Sequence, residues 1–306
     1  MRSKVLVIAG PTGSGKTDVA LEILRRIPAE AVSFDSMQVY RSMPLLTQAP
    51  PQAPQTHLVS FLSPLKAYSA ALFRKDATKL IRQILARGKT PLLVGGTGLY
   101  LRALLDGLFE PAGERPARDE TLRREMLAEH EKKGEGYLYA ELAKRDPVSA
   151  RRIHPNDTRR IVRALEVFRL TGQPLSEQLH RRSGLRNELD FNIYLLERMR
   201  DDLYDRINRR VERMVKDGLV EEVRRLAKKR LSLTARMALG VREIGAYLEG
   251  RCALEEAKEL LKKNTRNYAK RQLSWFRHEK GTVPVPASPG ETPRRVAGKI
   301  LAQWGK

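Results

Sequence analysis

The sequence has few of the residues that build disulfide-linked, metal-cluster or membrane proteins. Its one cysteine, Cys252, excludes an intramolecular disulfide and a CxxC metal knuckle. The five histidines are scattered without the spacing of metal ligands. The first apolar run, residues 5–9, is too short for a secretory signal or a membrane span. We therefore expect a soluble, cytoplasmic protein with no membrane segment.

Acidic residues are also scarce beside basic ones. The 306 residues include 58 Lys+Arg and 36 Asp+Glu, so the formal net charge is +22, whereas the hydrophobic fraction of 41% is normal for a globular protein. The charge is +7 over residues 1–110, +3 over 111–190 and +12 over 191–306. Such a field attracts polyanions, which favours nucleic acid as the partner. A surface charged for solubility is the alternative.

Strand and helix patterns alternate in the first hundred residues. Residues 5–9, 31–34 and 91–94 are short apolar runs typical of buried strands. Residues 18–27 and 69–87 carry apolar side chains at helical spacing. This alternation predicts an α/β fold with a parallel sheet and ligands at the carboxyl ends of the strands.

The rest of the chain is divided by composition. Residues 44–64 contain five prolines and no Lys, Arg, Asp or Glu, which predicts a long irregular loop. A strand is predicted over 191–196, a helix pair over 201–230 and a long helix over 254–278. Four prolines in 281–293 are expected to end regular structure before a short last helix.

A charge-dense helical stretch interrupts the α/β pattern. We expect residues 1–114 and 191–306 to form a core like that of the P-loop NTPases, a parallel sheet flanked by helices and followed by C-terminal helices. Residues 115–190 are expected to form an inserted all-helical domain.

The first loop has the sequence of a phosphate-binding loop. Residues 10–17 match G-x-x-x-x-G-K-[ST] between a predicted strand and a predicted helix. Glycines let backbone N–H groups converge on phosphate oxygens, and the helix N-terminus adds positive charge. Lys16 is expected on the terminal phosphates and Thr17 on Mg²⁺. The diphosphate-binding residues are predicted to be Gly10, Pro11, Thr12, Gly13, Ser14, Gly15, Lys16 and Thr17. The loop alone does not specify which diphosphate binds.

Two further motifs follow predicted strands. Asp35 opens DSMQVYR after the second strand, and Gly95-Gly96-Thr97-Gly98 follows the third. Asp35 alone allows a structural interpretation, a buried cap, and a functional one, a Walker B metal ligand. Because three loops are expected at one edge of the sheet, together they predict one pocket.

In order, these motifs and three later segments resemble the tRNA dimethylallyltransferases over almost the whole chain. The later segments are HPNDTRRIVRALEV at 154–167, DRINRRVERMVKDGLVEEV at 205–223 and TRNYAKRQLSWFR at 265–277. The resemblance implies transfer of a dimethylallyl group from dimethylallyl diphosphate to N6 of adenosine 37, beside the tRNA anticodon, with Mg²⁺ as cofactor. It implies a short bacterial form without a zinc finger, and we expect a monomer.

The resemblance also implies roles for residues. Asp35 is the expected base, because the delocalised exocyclic amine of adenine is a poor nucleophile. Thr97 is expected near the reacting groups, and Arg210, with Arg206 one turn earlier, on the diphosphate. A solvated helix face is the alternative for either arginine. The insertion is expected to grip the anticodon stem-loop. The expected tRNA contacts are Asp35, Ser36, Met37, Gln38, Thr97, Arg159, Arg160, Ile161, Val162, Arg163, Arg242, Arg266, Lys270, Arg271, Gln272 and Trp275.

Some positions depart from the family pattern. Gln48-Ala49 replaces the Ala-Lys of its Thr-Ala-Lys-Pro, and Val241 replaces the tyrosine of its Gly-Tyr-Lys/Arg-Glu. Gly13 stands where alanine is frequent, and Arg159 where glutamine is frequent.

The basic stretch of 262–280 allows two interpretations. It contains seven Lys/Arg and one acid, interleaved with Tyr268, Trp275 and Phe276. That composition suits phosphate contacts and base stacking, but an amphipathic helix with its aromatic residues in the core has the same pattern.

Three other functions remain open. A P-loop small-molecule kinase would explain the first motif, and an adenylate isopentenyltransferase would explain a prenyl donor without RNA. A non-catalytic RNA-binding module would explain the charge.

Overall fold

The computed structural model describes residues 2–50, 56–108, 119–180 and 182–305. The chain divides into two compact units. The first contains Met1–Leu105 and Leu185–Lys306, and the second contains Asp106–Gly184. Each is built around its own apolar cluster, as expected for separate cores.

The first unit is built on one six-stranded sheet in which every described pairing is parallel. The strands are β1 (Lys4–Ala9), β2 (Ala29–Ser33), β3 (Thr56–His57), β4 (Thr90–Gly95), β5 (Asp190–Glu197) and β6 (Thr282–Pro286), in the order β3-β2-β4-β1-β5-β6. This confirms the predicted α/β class. Because β2, β4, β1 and β5 are consecutive neighbours, the loops that follow them leave the same edge of the sheet.

Helices account for most of the remaining described residues. In chain order they are α1 (Lys16–Leu24), α2 (Pro44–Thr47), α3 (Ala70–Ala86), α4 (Gly98–Asp106), α5 (Glu120–Lys133), α6 (Tyr137–Arg145), α7 (Pro147–Ala150), α8 (Thr158–Thr171), α9 (Leu175–His180), α10 (Arg200–Lys216), α11 (Leu219–Ala227), α12 (Val241–Leu248), α13 (Leu254–Arg277) and α14 (Pro293–Trp304). In the described ranges, no helix combines the length and apolar character needed to cross a bilayer.

Both faces of the sheet are covered. Val5 and Val7 of β1 belong to one apolar cluster, which includes side chains of α3 and α13, whereas Leu6 and Ile8 belong to another with α1 and α14. All four side chains are fully buried. Burial on both faces explains why β1 reads as an unbroken apolar run instead of an alternating pattern.

The prediction of an irregular loop over 44–64 was wrong in part. This stretch contains α2 and β3, while its residues 51–55 lie outside the described residues. The backbone N–H groups of Leu45 and Leu46, at the start of α2, donate to the buried carboxylate of Glu222 at 3.1 and 2.9 Å. That carboxylate lies far away in the sequence, so no local sequence pattern predicts the helix.

The prediction that prolines end regular structure over 281–293 was also wrong. Residues 282–286 form β6, which pairs in parallel with β5. Pro284 and Pro286 are accommodated because β6 is at the edge of the sheet and pairs on one side only.

The second unit is helical in its described residues. Its core packs side chains of α5, α6 and α8, among them Met126, Leu142 and Leu165. Buried Glu166 accepts hydrogen bonds from Arg123 and Arg163 at 2.7 and 2.6 Å. The role expected for this region, holding an anticodon stem-loop, stays a prediction.

Candidate active site

Three loops at one edge of the sheet share a cavity. The loops follow β1, β2 and β4, whose last residues are in register, with Ala9 beside Gly95 and Ser33 beside Val94. A cavity of about 240 Å³ is lined by residues of all three loops and of α10, among them Lys16, Thr17, Asp35, Gly95 and Arg210. The structure therefore brings together the motifs that follow three different strands.

The phosphate loop carries a half-buried lysine. Lys16 donates from Nζ to the carbonyl oxygen of Pro11 at 2.7 Å. Burial lowers the pKa of Lys16 to about 8; the Asp35 charge opposes this shift and the Arg210 charge adds to it. A desolvated ammonium in a cavity is a strong attraction for an anion, because little water competes for it.

Arginines from outside the loop fix its backbone carbonyls. Arg198 donates from Nε to the carbonyl of Ser14 at 2.8 Å, and Arg206 donates to that of Gly13 at 2.9 Å. Arg198 was missed by sequence reasoning, although it directly follows the carboxyl end of β5. Because β5 lies next to β1 in the sheet, a residue just after β5 is expected near the phosphate loop, and this could have identified Arg198 from the sequence.

Arg210 reaches the same loop from α10. Its Nη1 donates to the hydroxyl of Thr12 at 3.1 Å, and its side chain lines the cavity with Lys16. Burial lowers the pKa of Arg210, and the neighbouring charges of Arg206 and Arg213 lower it further. Burial and the neighbouring cations both destabilise the charged form of Arg210, so an anion that binds beside it is strongly stabilised.

Not every residue of the phosphate loop offers a free donor. Pro11 has no backbone N–H, and the N–H of Ser14 donates to the Pro11 carbonyl at 3.2 Å. The Ser14 hydroxyl is fully buried and has no partner in the described structure. Side-chain contacts to a phosphate are therefore better supplied by Lys16, Thr17 and Arg210, which line the cavity.

Asp35 shapes the loop after β2. Its Oδ1 accepts hydrogen bonds from the backbone N–H groups of Met37 at 2.9 Å and Gln38 at 3.4 Å. The carboxylate thus acts as a turn cap through one oxygen, and it also lines the cavity. A turn-capping role and an active role are therefore compatible in this one side chain.

Thr97 ties the third loop to the second. Its Oγ1 accepts from the backbone N–H of Ser36 at 3.0 Å and donates to the Ser36 hydroxyl at 3.3 Å. Tyr268 of α13 shares this contact: burial raises its pKa, the nearby Asp35 charge raises it further, and a hydrogen bond with Thr97 opposes the shift. Tyr268 was noted in the sequence for stacking, but not as a neighbour of Asp35.

Gln272 uses both ends of its amide inside the protein. Its Oε1 accepts from the backbone N–H of Thr12 at 2.8 Å, and its Nε2 donates to the carbonyl of Gly96 at 2.8 Å. A Cβ on Gly96 would lie 2.2 Å from this Nε2, so the contact needs glycine there. Gln272, expected to contact tRNA, is buried, so its amide is not available to RNA.

Gln38 is engaged in a similar way. Its Oε1 accepts from the hydroxyl of Ser33 at 3.0 Å, and its Nε2 donates to the carbonyl of Gln48 at 3.3 Å. Gln38 was expected to contact tRNA, but in this structure its amide links the hydroxyl of Ser33 to the backbone of Gln48. Ser36 and Met37, beside it, are half-buried.

The predicted contacts on α8 separate by burial. Ile161 and Val162 are 1% and 4% exposed and lie in the core of the second unit, so the prediction that their side chains contact tRNA was wrong. Arg163 bonds to Glu166, and Arg160 pairs with Asp157 at 3.3 Å. Arg159 is exposed, as an RNA-contacting arginine must be.

The predicted contacts in the C-terminal third also differ. Lys270, Arg271 and Arg242 are exposed, while Arg266 donates to the side-chain oxygen of Asn208 at 2.6 Å. These three exposed side chains remain available to a phosphate backbone.

For residues 262–280 the sequence allowed either base stacking or an amphipathic helix with its aromatic residues in the core. The aromatic residues of α13 are not all in the same environment. Trp275 packs against Gly98 and lies 4.5 Å from the guanidinium of Arg102, measured to the ring centre. Phe276 is fully buried in the core, as the amphipathic-helix interpretation expects.

A magnesium ion fits the donor set of the cavity. The Thr17 hydroxyl supplies oxygen, the ligand type that Mg²⁺ prefers, and such sites complete their coordination with substrate phosphates and water. Elsewhere in the described residues, Glu212, Glu255 and Glu259 approach one another. Lys258 and Lys262 form ion pairs with this cluster, so its negative charge is compensated by lysines instead of requiring a metal ion.

The chain is similar to enzymes of one family. The profile of the family described as IPP transferase matches residues 38–279. The tRNA dimethylallyltransferase of Geobacter sulfurreducens is 44% identical over 286 residues, covering 91% of this chain and 90% of the relative. That of Geobacter metallireducens is 45% identical over 295 residues, covering 93% of each.

Solved structures agree. The full-length tRNA isopentenylpyrophosphate transferase of Bacillus halodurans has a TM-score of 0.70 at 36% identity, covering 99% of this chain and 96% of that one. A eukaryotic dimethylallyltransferase, solved acting on tRNA, has a TM-score of 0.80 at 26% identity, covering 98% of this chain and 80% of that one. With a family profile over most of its length and relatives above 40% identity, the chain belongs to the IPP transferase family.

Proposed function

We propose that this protein transfers a dimethylallyl group from dimethylallyl diphosphate to N6 of adenosine 37 in tRNA, which gives N6-dimethylallyladenosine and diphosphate. The observation that carries the proposal is the cavity in which Lys16, Arg210 and Asp35 meet. Two cations there suit a diphosphate, and a carboxylate suits the acceptor amine. The relatives named as tRNA dimethylallyltransferases and the similarity to a structure solved acting on tRNA support the same activity.

The residues that bind the donor are those that can stabilise the negative charge of its leaving group. When the C1–O bond breaks, its electron pair leaves with the diphosphate, so negative charge grows on the leaving group. Lys16, Arg210 and the N-terminus of α1 stabilise that charge. Mg²⁺, with Thr17 among its ligands, supplies further neutralisation when bound.

At the acceptor end, the reaction needs a group that takes a proton from the amine. As N6 of adenine forms its bond to C1, it must lose one proton to remain neutral. Asp35 takes that proton in our proposal, because its carboxylate lines the cavity beside Lys16. Its Oδ1 is held by backbone N–H groups, which fixes the orientation of the carboxylate.

An adenine in an anticodon loop is stacked, so the reaction needs the base to be extruded into the cavity. Exposed Arg159, Arg242, Lys270 and Arg271 are the tRNA contacts that we retain for the phosphate backbone. We further propose that the protein acts as a monomer in the cytoplasm, where its tRNA substrate is found.

The test is direct. The protein is incubated with dimethylallyl diphosphate, Mg²⁺ and unmodified tRNA, and the nucleosides are analysed by mass; we expect one dimethylallyl group on adenosine 37. Parallel incubations with AMP, and with ATP alone, examine adenylate isopentenyltransferase and kinase activity. Prenylation of AMP but not of tRNA, or release of ADP without prenyl transfer, would contradict the proposal.

The role of Asp35 is tested by a pair of variants. Asp35→Ala removes both the proton acceptor and the turn cap, whereas Asp35→Asn keeps the oxygen that accepts the Met37 and Gln38 N–H groups. We expect Asp35→Asn to lower kcat by about 10²–10⁴-fold with tRNA affinity nearly unchanged. Unchanged turnover in Asp35→Asn would remove Asp35 from the mechanism.

A further inference from the structure

A second cavity, of about 190 Å³ and mainly apolar, adjoins the first. Ala20, Leu21 and Leu24 of α1 line it, together with Ala31 of β2. These side chains present only hydrocarbon. None of them binds the diphosphate or takes the proton from the acceptor amine in the proposed reaction.

The two cavities share part of their lining. Thr17, Gln38 and Val94 border both of them. A ligand with an anionic end over Lys16 and a hydrocarbon end pointing past Thr17 would therefore occupy both spaces. An allylic diphosphate is such a ligand, since its charge is confined to one end.

The size of the second cavity limits the hydrocarbon. An apolar protein cavity of roughly 150 Å³ holds the six carbons of a benzene molecule, so about 190 Å³ accepts a branched five-carbon group with room to spare, whereas ten carbons at the same packing need roughly 250 Å³. A ten-carbon chain would have to displace the leucines of α1. In an apolar pocket each methylene that does not fit changes selectivity by about 10–200-fold.

We propose that this apolar cavity binds the hydrocarbon of the allylic diphosphate, and that Leu21 and Leu24 set the accepted chain length. The inference rests on the proposed function and adds the residues that select the donor. Gln38 contributes to the same wall, because its amide is fixed by Ser33 and Gln48 and keeps its side chain between the two cavities.

The first experiment fills the cavity. Leu21→Phe is titrated with dimethylallyl diphosphate and, separately, with inorganic diphosphate, by calorimetry in the presence of Mg²⁺. We expect affinity for dimethylallyl diphosphate to fall by about tenfold or more, while affinity for inorganic diphosphate stays within about twofold. Leu301→Phe is the matched control, because Leu301 packs on the same apolar cluster as Leu24 but does not line the cavity.

The second experiment enlarges the cavity. Leu24→Ala should raise kcat/KM for geranyl diphosphate relative to dimethylallyl diphosphate by about tenfold. The change in heat capacity on binding dimethylallyl diphosphate should be more negative than that for inorganic diphosphate in the unaltered protein. This difference should shrink in Leu21→Phe, because less apolar surface is buried.

The outcomes separate the two proposals. If the unaltered protein prenylates tRNA but Leu21→Phe binds both ligands as before, or weakens both equally, the assignment of the cavity is wrong. An unchanged donor ratio in a folded Leu24→Ala would overturn it as well, and would still do so if Leu21→Phe fails to fold. If the unaltered protein transfers no prenyl group to tRNA, the proposed function fails instead.

Discussion

Gln272 donates a hydrogen bond across 2.8 Å to the carbonyl oxygen of Gly96, and its other amide atom accepts from the phosphate loop. One buried side chain thus fixes the distance between the loop that holds Lys16 and the loop that holds Thr97. We expect Gln272→Leu to lower kcat for prenyl transfer by at least about tenfold, because misplacement of groups around a reacting centre is costly.

The same substitution removes the partner of a half-buried N–H of Thr12 and of a buried carbonyl of Gly96. The expected loss in the free energy of unfolding is about 1–3 kcal/mol. Gln83→Leu, at an exposed glutamine of α3, is the matched control and should change neither quantity. If Gln272→Leu loses stability but keeps full kcat and KM, the residue has a structural role only.

Diphosphate affinity should depend on pH through Lys16. Burial lowers the pKa of its ammonium group to about 8, so the cation that attracts diphosphate is lost as the pH rises through that value. We expect the dissociation constant for inorganic diphosphate, measured by calorimetry, to increase between about pH 7 and pH 9. In Lys16→Arg the increase should be much smaller, because a guanidinium stays protonated. Equal slopes in both proteins would assign the effect to another group.

Arg159, an exposed arginine of α8, should act on RNA affinity alone. Arg159→Ala should weaken tRNA binding and reduce the slope of log affinity against log salt by about 1, the loss of roughly one phosphate contact. Inorganic diphosphate binding, measured on the same preparations, should be unaffected. By contrast, Val162→Ala should lower stability, because Val162 is buried in the core of the second unit. An unchanged salt slope in Arg159→Ala would remove this residue from the interface.

Acid should weaken the second unit through Glu166. Burial opposes ionisation of this carboxylate, but hydrogen bonds from Arg123 and Arg163 lower its pKa to about 2. A carboxyl group with a lowered pKa contributes stability that is present above about pH 4 and is lost as the pH falls towards 2. Hydrogen exchange of α8 amides should therefore accelerate over that range.

Glu166→Gln supplies the comparison for that experiment. It removes the buried negative charge that both arginines contact, and we expect a loss of about 3 kcal/mol or more in the free energy of unfolding at neutral pH. Exchange in this variant should already be fast at neutral pH and should change less on acidification. If its acid response equals that of the unaltered protein, other carboxylates dominate.

The parts of the fold that sequence could predict are those specified locally. The apolar run of β1, the glycines after it and the helical spacing of α1 each act over a few residues, and each was found where expected. The position of Asp35 at the same edge followed from the parallel sheet, since every strand presents its carboxyl end on that side.

The parts that could not be predicted depend on distant partners. Whether the Gln38 amide faces a base or the carbonyl of Gln48 depends on where the chain folds back, and neither residue type decides it. The same applies to α2, which begins at the carboxylate of Glu222, and to β6, whose prolines are tolerated only because the strand has one neighbour. Burial of Ile161 and Val162 follows from packing within the second unit.

The contact between Thr12 and Gln272 also bears on how the protein is made. The two residues are 260 positions apart in the chain, so this link is of very high contact order. During synthesis the phosphate loop leaves the ribosome early, but α13, which completes its surroundings, emerges only near the end. A nascent chain therefore carries the diphosphate-binding sequence for most of its synthesis without the assembled site, and becomes competent to react only once α13 docks.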